Sequence, residues 1–362
     1  MSDSPRVLVM TPGLDGSDGV SEVSRQAVAA LAGAWGPGAV EVWTLEESIG
    51  DDPRMAGVRL RSAAGGRARM TAWALARSRG SGDGSLALVM HAHLAPLALM
   101  LAMRGAPVAV FLHGIEVWTP LRRREAAAFE RAAALIANSH HTAARFRDAN
   151  PRFADRMVAV CHLGVGPSPA TVAQPPIDGY ALVVGRLVAD ERYKGHDALI
   201  DAWPAVCARV PGARLVVVGD GDDRARLERL ADQRGIGDRV VFTGRVSDAE
   251  LAGWYDRAAF FAMPSRNEGF GLVYMEAMRA GKPCIAARGA AEEIIEDGGS
   301  GILVDPDARG ALTTALVQLF TDKDGRERMG AAAAARVAVT FEERHFAARL
   351  LAQLTPLTAQ VV

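Results

Sequence analysis

The chain has 362 residues, 41 basic against 42 acidic side chains and a formal net charge of −1, so no global charge draws it to nucleic acid or to an anionic membrane. At roughly 150 residues per domain the length calls for two domains with substantial cores. Cys161, Cys207 and Cys284 are far apart and sit in or beside apolar runs, which reads as buried, reduced thiols in a cytoplasmic protein, and no run approaches the ~20 apolar residues of a membrane span.

The polar start from Met1 to Arg6 leads straight into a strand, which speaks against a signal peptide or an integral anchor. From there short apolar runs alternate with longer helical patterns, the signature of an α/β chain with parallel sheets. Strands are predicted at 6–10, 40–44, 86–90, 108–112, 135–137 and 157–160. The first ends in the loop Thr11-Pro12-Gly13-Leu14-Asp15-Gly16-Ser17-Asp18-Gly19, before a helix from about Ser21. Such a loop can approach a phosphate closely, but its glycines are each three apart and lack the G-x-G-x-x-G spacing of a dinucleotide site.

An arginine-rich stretch follows, with seven arginines from Arg54 to Arg79 and no acidic residue between Asp52 and Asp83. It reads either as a basic amphipathic helix able to touch an anionic membrane or as a solvated helix face. His91 and His93 end the next strand as H-A-H. His113 follows a buried strand in F-L-H-G-I-E, where Gly114 permits a sharp turn at the carboxyl edge of the sheet. Asn138 and Ser139 follow another strand and read as a helix cap or as groups that touch a ligand.

Between Gly164 and Gly179 the alternation stops, and Pro167, Pro169, Pro175 and Pro176 mark a stiff linker. The expected division is an N-terminal domain at 1–166, a linker at 167–178, a second domain at 179–340 and a terminal segment at 341–362. The second set of strands is predicted at 181–184, 214–218, 239–243, 259–263, 283–286 and 301–304, which makes two Rossmann-like units facing across a deep cleft.

Gly185-Arg186-Leu187 closes the first strand of the second unit, and Tyr193-Lys194-Gly195 opens a helix. Two fixed cations in a water-poor site stabilise charge that develops on an anionic leaving group; taken singly they also read as surface ion pairs. The densest pattern is Glu268-Gly269-Phe270-Gly271-Leu272-Val273-Tyr274-Met275-Glu276, after a strand and at a helix start. Its glycines let a turn present free N–H groups where the helix dipole favours a phosphate, and each carboxylate can accept two hydroxyls side by side. The spacing alone also suits an ordinary loop carboxylate and an ordinary helix carboxylate. Asp220-Gly221-Asp222, Asp305-Pro306-Asp307 and Asp322-Lys323-Asp324 fall in turns rather than in a convincing metal motif, so no metal is expected.

Glu268 and Glu276, with seven residues between them, resemble the donor-binding signature of glycosyltransferase family 4, a retaining family of GT-B fold, here of bacterial type. The resemblance implies that Glu268 contacts the transferred sugar, that the amides of Phe270, Gly271 and Leu272 hold the diphosphate, and that Glu276 binds the ribose diol. It implies a diphosphate clamp from Gly185, Arg186 and Lys194, a base contact at Val246, and a place for His113 beside the sugar. His93, Asn138 and Ser139 would line the cleft on the acceptor side. Gly16 and Gly19 resemble the family's glycine loop, with Asp18-Gly19 in place of the usual glycine pair, and Gly289-Ala290-Ala291-Glu292 departs from the usual G-G-x-P-E.

The terminal helix, about 341–354, would return to the first domain. The implied reaction is transfer of a hexosyl group from a UDP- or GDP-sugar to a hydroxyl of a lipid-linked or small glycan acceptor, without a cofactor or catalytic metal. It would serve cell-surface polysaccharide or glycolipid synthesis in the cytoplasm or at the inner membrane face. With no covalent nucleophile in evidence, a same-face displacement is preferred. The alternatives are a sugar-nucleotide epimerase on a similar scaffold and a non-catalytic sugar-nucleotide-binding subunit.

Overall fold

The structure, a computed structural model, describes residues 5–16, 18–46, 52–79, 85–170 and 177–359. The chain forms two compact units, one built from residues up to Gly164 together with the segment from Glu343, the other from Val165–Glu342. Half of the predicted linker, 171–176, lies outside the described residues.

The first unit is a seven-stranded sheet of β1 (Arg6–Thr11), β2 (Val40–Thr44), β3 (Arg59–Ser62), β4 (Ser85–Val89), β5 (Val108–Leu112), β6 (Ala134–Ala137) and β7 (Ala159–Val160), in the order β3-β2-β1-β4-β5-β6-β7. All its pairings are parallel. The second is a six-stranded parallel sheet of β8 (Ala181–Val184), β9 (Leu215–Val218), β10 (Val240–Gly244), β11 (Phe260–Met263), β12 (Cys284–Ala287) and β13 (Gly301–Val304), in the order β10-β9-β8-β11-β12-β13. Parallel strands covered by helices on both faces have no wet side, which is why β4, β5, β9 and β11 are buried at every position.

In each sheet the strand order reverses beside the first strand, between β1 and β4 and between β8 and β11. A parallel sheet binds ligands beyond its carboxyl edge at such a reversal, because the loops there diverge. The reversal therefore selects the loops after β1 and β4 in the first unit and those after β8 and β11 in the second.

Three expectations change. The Arg54 to Arg79 stretch is not one amphipathic helix: it holds a 3₁₀ turn (Pro53–Met55), the edge strand β3 and α2 (Arg67–Arg79). Arg54 is engaged by Glu22 and Asp52, both at 2.8 Å, so it is not a free membrane contact. The first helix, α1 (Gly19–Trp35), starts at Gly19, because Asp18 caps it by accepting from the amides of Val20 and Ser21. Cys161 and Cys284 are buried, but Cys207 is only half-buried.

The last helix, α12 (Glu343–Thr358), follows a π-helical turn at Val337–Phe341 and belongs to the first unit, where it packs on α1. Its fully buried Phe346 meets Phe111 of β5 edge-on at 6.4 Å, and Leu350 and Leu354 lie on the same face at helical spacing.

Candidate active site

In the second unit, Gly185, Gly219, Gly221 and Gly244 pin the carboxyl edge of the sheet. A Cβ on Gly219 would lie 1.9 Å from the carbonyl oxygen of Gly185, and one on Gly221 2.2 Å from that of Leu187. Glycine is needed at both by space and by their positive φ of 141° and 159°. The Gly219 amide donates to Gly244 and the Gly185 amide to Val218. The loop after β8 is thereby fixed where it leaves the sheet.

That loop makes a 3₁₀ segment at Ala189–Lys194 and turns at Gly195 into α6 (His196–Arg209). Gly195 has φ 88°, and a Cβ there would come within 2.7 Å of the Pro264 carbonyl oxygen. The Arg266 amide donates to the Tyr193 carbonyl at 2.9 Å. The loops after β8 and β11 thus touch at backbone level, which carries Lys194 to the residues of the E-G-F-G turn.

Glu191 holds the two predicted cations together. One carboxylate oxygen pairs with the Arg186 guanidinium and the other lies 2.7 Å from Lys194 Nζ. Lys194 also lies along Gly185, whose Cβ position is 3.5 Å from Lys194 Cδ. Glu268 feels the Lys194 charge, which with the Gly269 amide favours its ionised form, but burial outweighs them and its pKa is raised. Tyr193, near Glu191 and Glu268, is pushed up to about 12, mainly by burial.

Beyond Glu268 the chain turns at Gly271 (φ 102°) into α9 (Leu272–Arg279). A Cβ on Gly271 would lie 2.4 Å from the Tyr274 ring and 3.3 Å from Glu268 Cγ. Among the described residues the amides of Gly271 and Leu272 carry no hydrogen bond, so two orphan donors stand at a helix start. Phe270 differs, because its ring is buried against Phe341 at 6.1 Å and only its backbone can serve a ligand. Glu276, one turn into α9, accepts from the Tyr255 hydroxyl at 2.8 Å, which fixes its rotamer. Val246 is half-buried two residues after β10, beside the capping box of Ser247 and Glu250.

Sequence reasoning missed Glu191 and His196. His196 opens α6 beside Lys194 and is 5% exposed; its Nε2 has no partner among the described residues, and burial lowers its pKa to about 4. The signal was the run E-R-Y-K-G-H, in which a histidine follows the turn glycine. The Asp-x-Asp carboxylates serve turns. Asp220 and Asp222 accept from the amides of Gly221 and Ala189, Asp305 accepts from Asp307, which pairs with Arg266, and Asp322 caps α11 (Lys323–Arg336).

In the first unit, His113 Nε2 lies 2.8 Å from the Met90 carbonyl, and the Glu116 carboxylate accepts from the His113 amide at 2.6 Å. A carbonyl can only accept, so Nε2 carries the proton and Nδ1 keeps its lone pair. Burial holds the ring below the usual histidine range, although Glu116 and Asp18 oppose it. His91 is likewise depressed, to about 4, chiefly by burial.

The weaker candidates have structural work. His93 Nδ1 lies 2.9 Å from Glu125, whose other oxygen accepts from the Arg122 amide at the start of α4 (Arg123–Arg131). Asn138 is 2% exposed and donates to the His113 carbonyl at 2.5 Å, which makes it a support for His113. Ser139 is fully buried and accepts from the Thr142 amide as the cap of α5 (His140–Ala149), the helix-cap role of the two that its position offered. Gly16 leaves no room for a side chain against Asp18, and Gly19 is the first residue of α1. Asp18 already occupies the α1 amides that a phosphate would take.

Residues 178–322 match the family described as glycosyl transferases group 1. A Mycobacterium tuberculosis protein named GDP-mannose-dependent alpha-(1-6)-phosphatidylinositol monomannoside mannosyltransferase is 40% identical over 147 residues, and the match covers 38% of this chain and 38% of that protein. The chain thus aligns with well under half the length of this curated relative. Among solved structures, sucrose-phosphate synthase from Thermosynechococcus elongatus has a TM-score of 0.80 at 22% identity, covering 98% of this chain and 99% of that one. The Anabaena protein HepE in complex with UDP and glucose has a TM-score of 0.77 at 18% identity, covering 97% and 100%. Likeness at that identity establishes the fold alone, the GT-B fold. Gly185, Arg186, Lys194, Val246, Glu268 and Glu276 all fall inside the segment that matches the glycosyl transferases group 1 family, residues 178–322.

Proposed function

We propose that the protein is a retaining glycosyltransferase that moves a hexosyl group from a nucleoside diphosphate sugar to an acceptor hydroxyl. The observation that carries this reading is the meeting of Arg186, Lys194 and Glu268 beside the bare amides of Gly271 and Leu272. Two cations and a helix start suit a diphosphate, and a carboxylate on either side of it suits the diols of a sugar and a ribose. As the glycosidic bond breaks, charge builds on the diphosphate, and fixed positive groups in a sheltered site stabilise that state without moving. Glu276, held by Tyr255, takes the ribose. Glu268 takes hydroxyls of the hexose, and no residue is assigned as a covalent nucleophile, so the leaving phosphate itself receives the acceptor's proton on the same face.

His113 in the other unit has a neutral ring and an Nδ1 lone pair suited to accept from a sugar or acceptor hydroxyl. GDP-mannose is the first donor to try, because several relatives carry it in their names, and UDP-glucose the second. The acceptor class proposed is a glycolipid or lipid-linked glycan of the cell surface, which the name of the mycobacterial relative favours. Among the described residues no helix is long and apolar enough to cross a membrane. The test is incubation of the purified chain with GDP- and UDP-sugars, with and without glycolipid acceptors. The reading expects acceptor-dependent release of nucleoside diphosphate with an α-linked product from an α-linked donor; a donor consumed only by conversion to an epimer overturns it.

A further inference from the structure

The first unit carries a second charged site that glycosyl transfer does not use. A groove of about 610 Å³ opens along β2, β3 and α2, lined by Glu41, Trp43, Arg59, Arg61, Trp73 and Arg77. Glu41 and Arg59 pair directly across the strands, as do Trp43 and Arg61, so all four side chains share one face of the sheet.

The groove is ordered before any ligand enters. Glu41 accepts from the Trp43 indole N–H at 2.8 Å and from the Arg77 guanidinium at 2.9 Å, and Arg77 also donates to Ser85 Oγ. Trp43 and Trp73 meet edge-to-face at 5.7 Å. The Arg61 guanidinium lies 4.9 Å over the Trp73 ring and only 3.8 Å from Glu41. Arg59 has no partner among the described residues. Arg59 and Arg61 thus bring two guanidinium groups to one face of the sheet, beside the Glu41–Arg77 pair.

Arginines on an edge strand also discourage pairing with other chains. That role does not require a guanidinium stacked on a tryptophan that a second tryptophan holds in place. Two planar forks two residues apart, roughly 7 Å, can bind one phosphate from two sides. A monocarboxylate has a single pair of oxygens and engages one of the two forks well. The groove volume lies within the range of small-molecule sites, about 300–1,000 Å³.

We propose that this groove binds a small soluble phosphate monoester, with Arg59 and Arg61 as its phosphate ligands and the Trp73 ring as a wall for its carbon skeleton. Glu41 and Arg77 are the supports that hold the tryptophans in place.

The test is calorimetric titration of the full-length chain carrying Lys194→Ala, which disables the other candidate phosphate site. Phenyl phosphate is the probe, benzoate the monoanion control and phosphatidic acid vesicles the lipid arm. Saturable binding of phenyl phosphate is expected, with benzoate weaker and with a loss on the order of tenfold or more in Arg59→Ala/Arg61→Ala. Should that double variant fail to fold, Arg59→Ala alone, which removes no intramolecular pair, must still weaken binding. Equal affinity in the arginine variants, equal affinity for benzoate, or binding to vesicles without binding of soluble phenyl phosphate would each overturn the proposal. No nucleotide sugar enters the experiment, so its result is separate from that of the transfer assay.

Discussion

Glu191 decides how the two cations behave when no donor is bound. Its carboxylate bridges Arg186 and Lys194, where the proposed function puts a diphosphate. Glu191→Gln keeps the shape and removes the charge, and is expected to tighten nucleoside diphosphate binding several-fold, measured by calorimetry. Weaker binding would mean that Glu191 orders the cations for the ligand. Lys194→Ala removes one fixed charge from the transition state and is expected to lower transfer on the order of 10²–10³-fold, read as kcat with a saturating donor; undiminished turnover would reject the clamp. Arg186 and Lys194 were legible because G-R-L and K-G each mark a strand end or a helix start. Glu191 was not, since an acid three residues before a lysine reads as an ordinary helical ion pair, and only the folded loop brings Arg186 to its other oxygen.

The candidate site depends on how closely the loops after β8, β9 and β11 approach one another. Gly219→Ala would drive a Cβ to 1.9 Å from the Gly185 carbonyl oxygen at a φ of 141°. It is expected to cost about 3 kcal/mol or more in urea unfolding. Gly212→Ala, where nothing lies within 4 Å, is expected to be nearly neutral. Equal effects of the two substitutions would show that the loops are not tightly seated. The central strands were legible because β-branched runs such as Leu215–Val218 leave no other reading, and they are buried throughout. The edge strand β3 was not, because Arg59-Leu60-Arg61-Ser62 carries arginines that read as the charged face of a helix. Pairing with β2 on one side only lets such a strand keep one face wet.

Across the whole chain the buried histidines make stability depend on pH. His196 has a folded pKa of about 4 against an ordinary value of 6.5. Below pH ~6.5 the unfolded chain binds a proton that the folded chain refuses, so stability is full above that pH and is lost as pH falls toward 4. The loss is about 2 kcal/mol by pH 5 for one such residue. The melting temperature is therefore expected to drop from pH 7 to pH 5, and less steeply in His196→Asn; parallel slopes would show that His196 is solvated. The two parallel sheets could be read from the alternation of strands and helices. The return of α12 to the first unit followed from the family resemblance and not from the helix itself, because its apolar face at Phe346, Leu350 and Leu354 names no partner until α1 is in place. The central claim is that fixed cations and a helix start hold the donor diphosphate. It is tested most directly by titrating GDP and UDP into the protein in excess chelator, with Arg186→Ala and Lys194→Ala beside it. One nucleotide should bind without divalent metal and weaken on the order of tenfold or more in both variants. Binding that appears only with magnesium, or that both variants leave unchanged, would contradict the account.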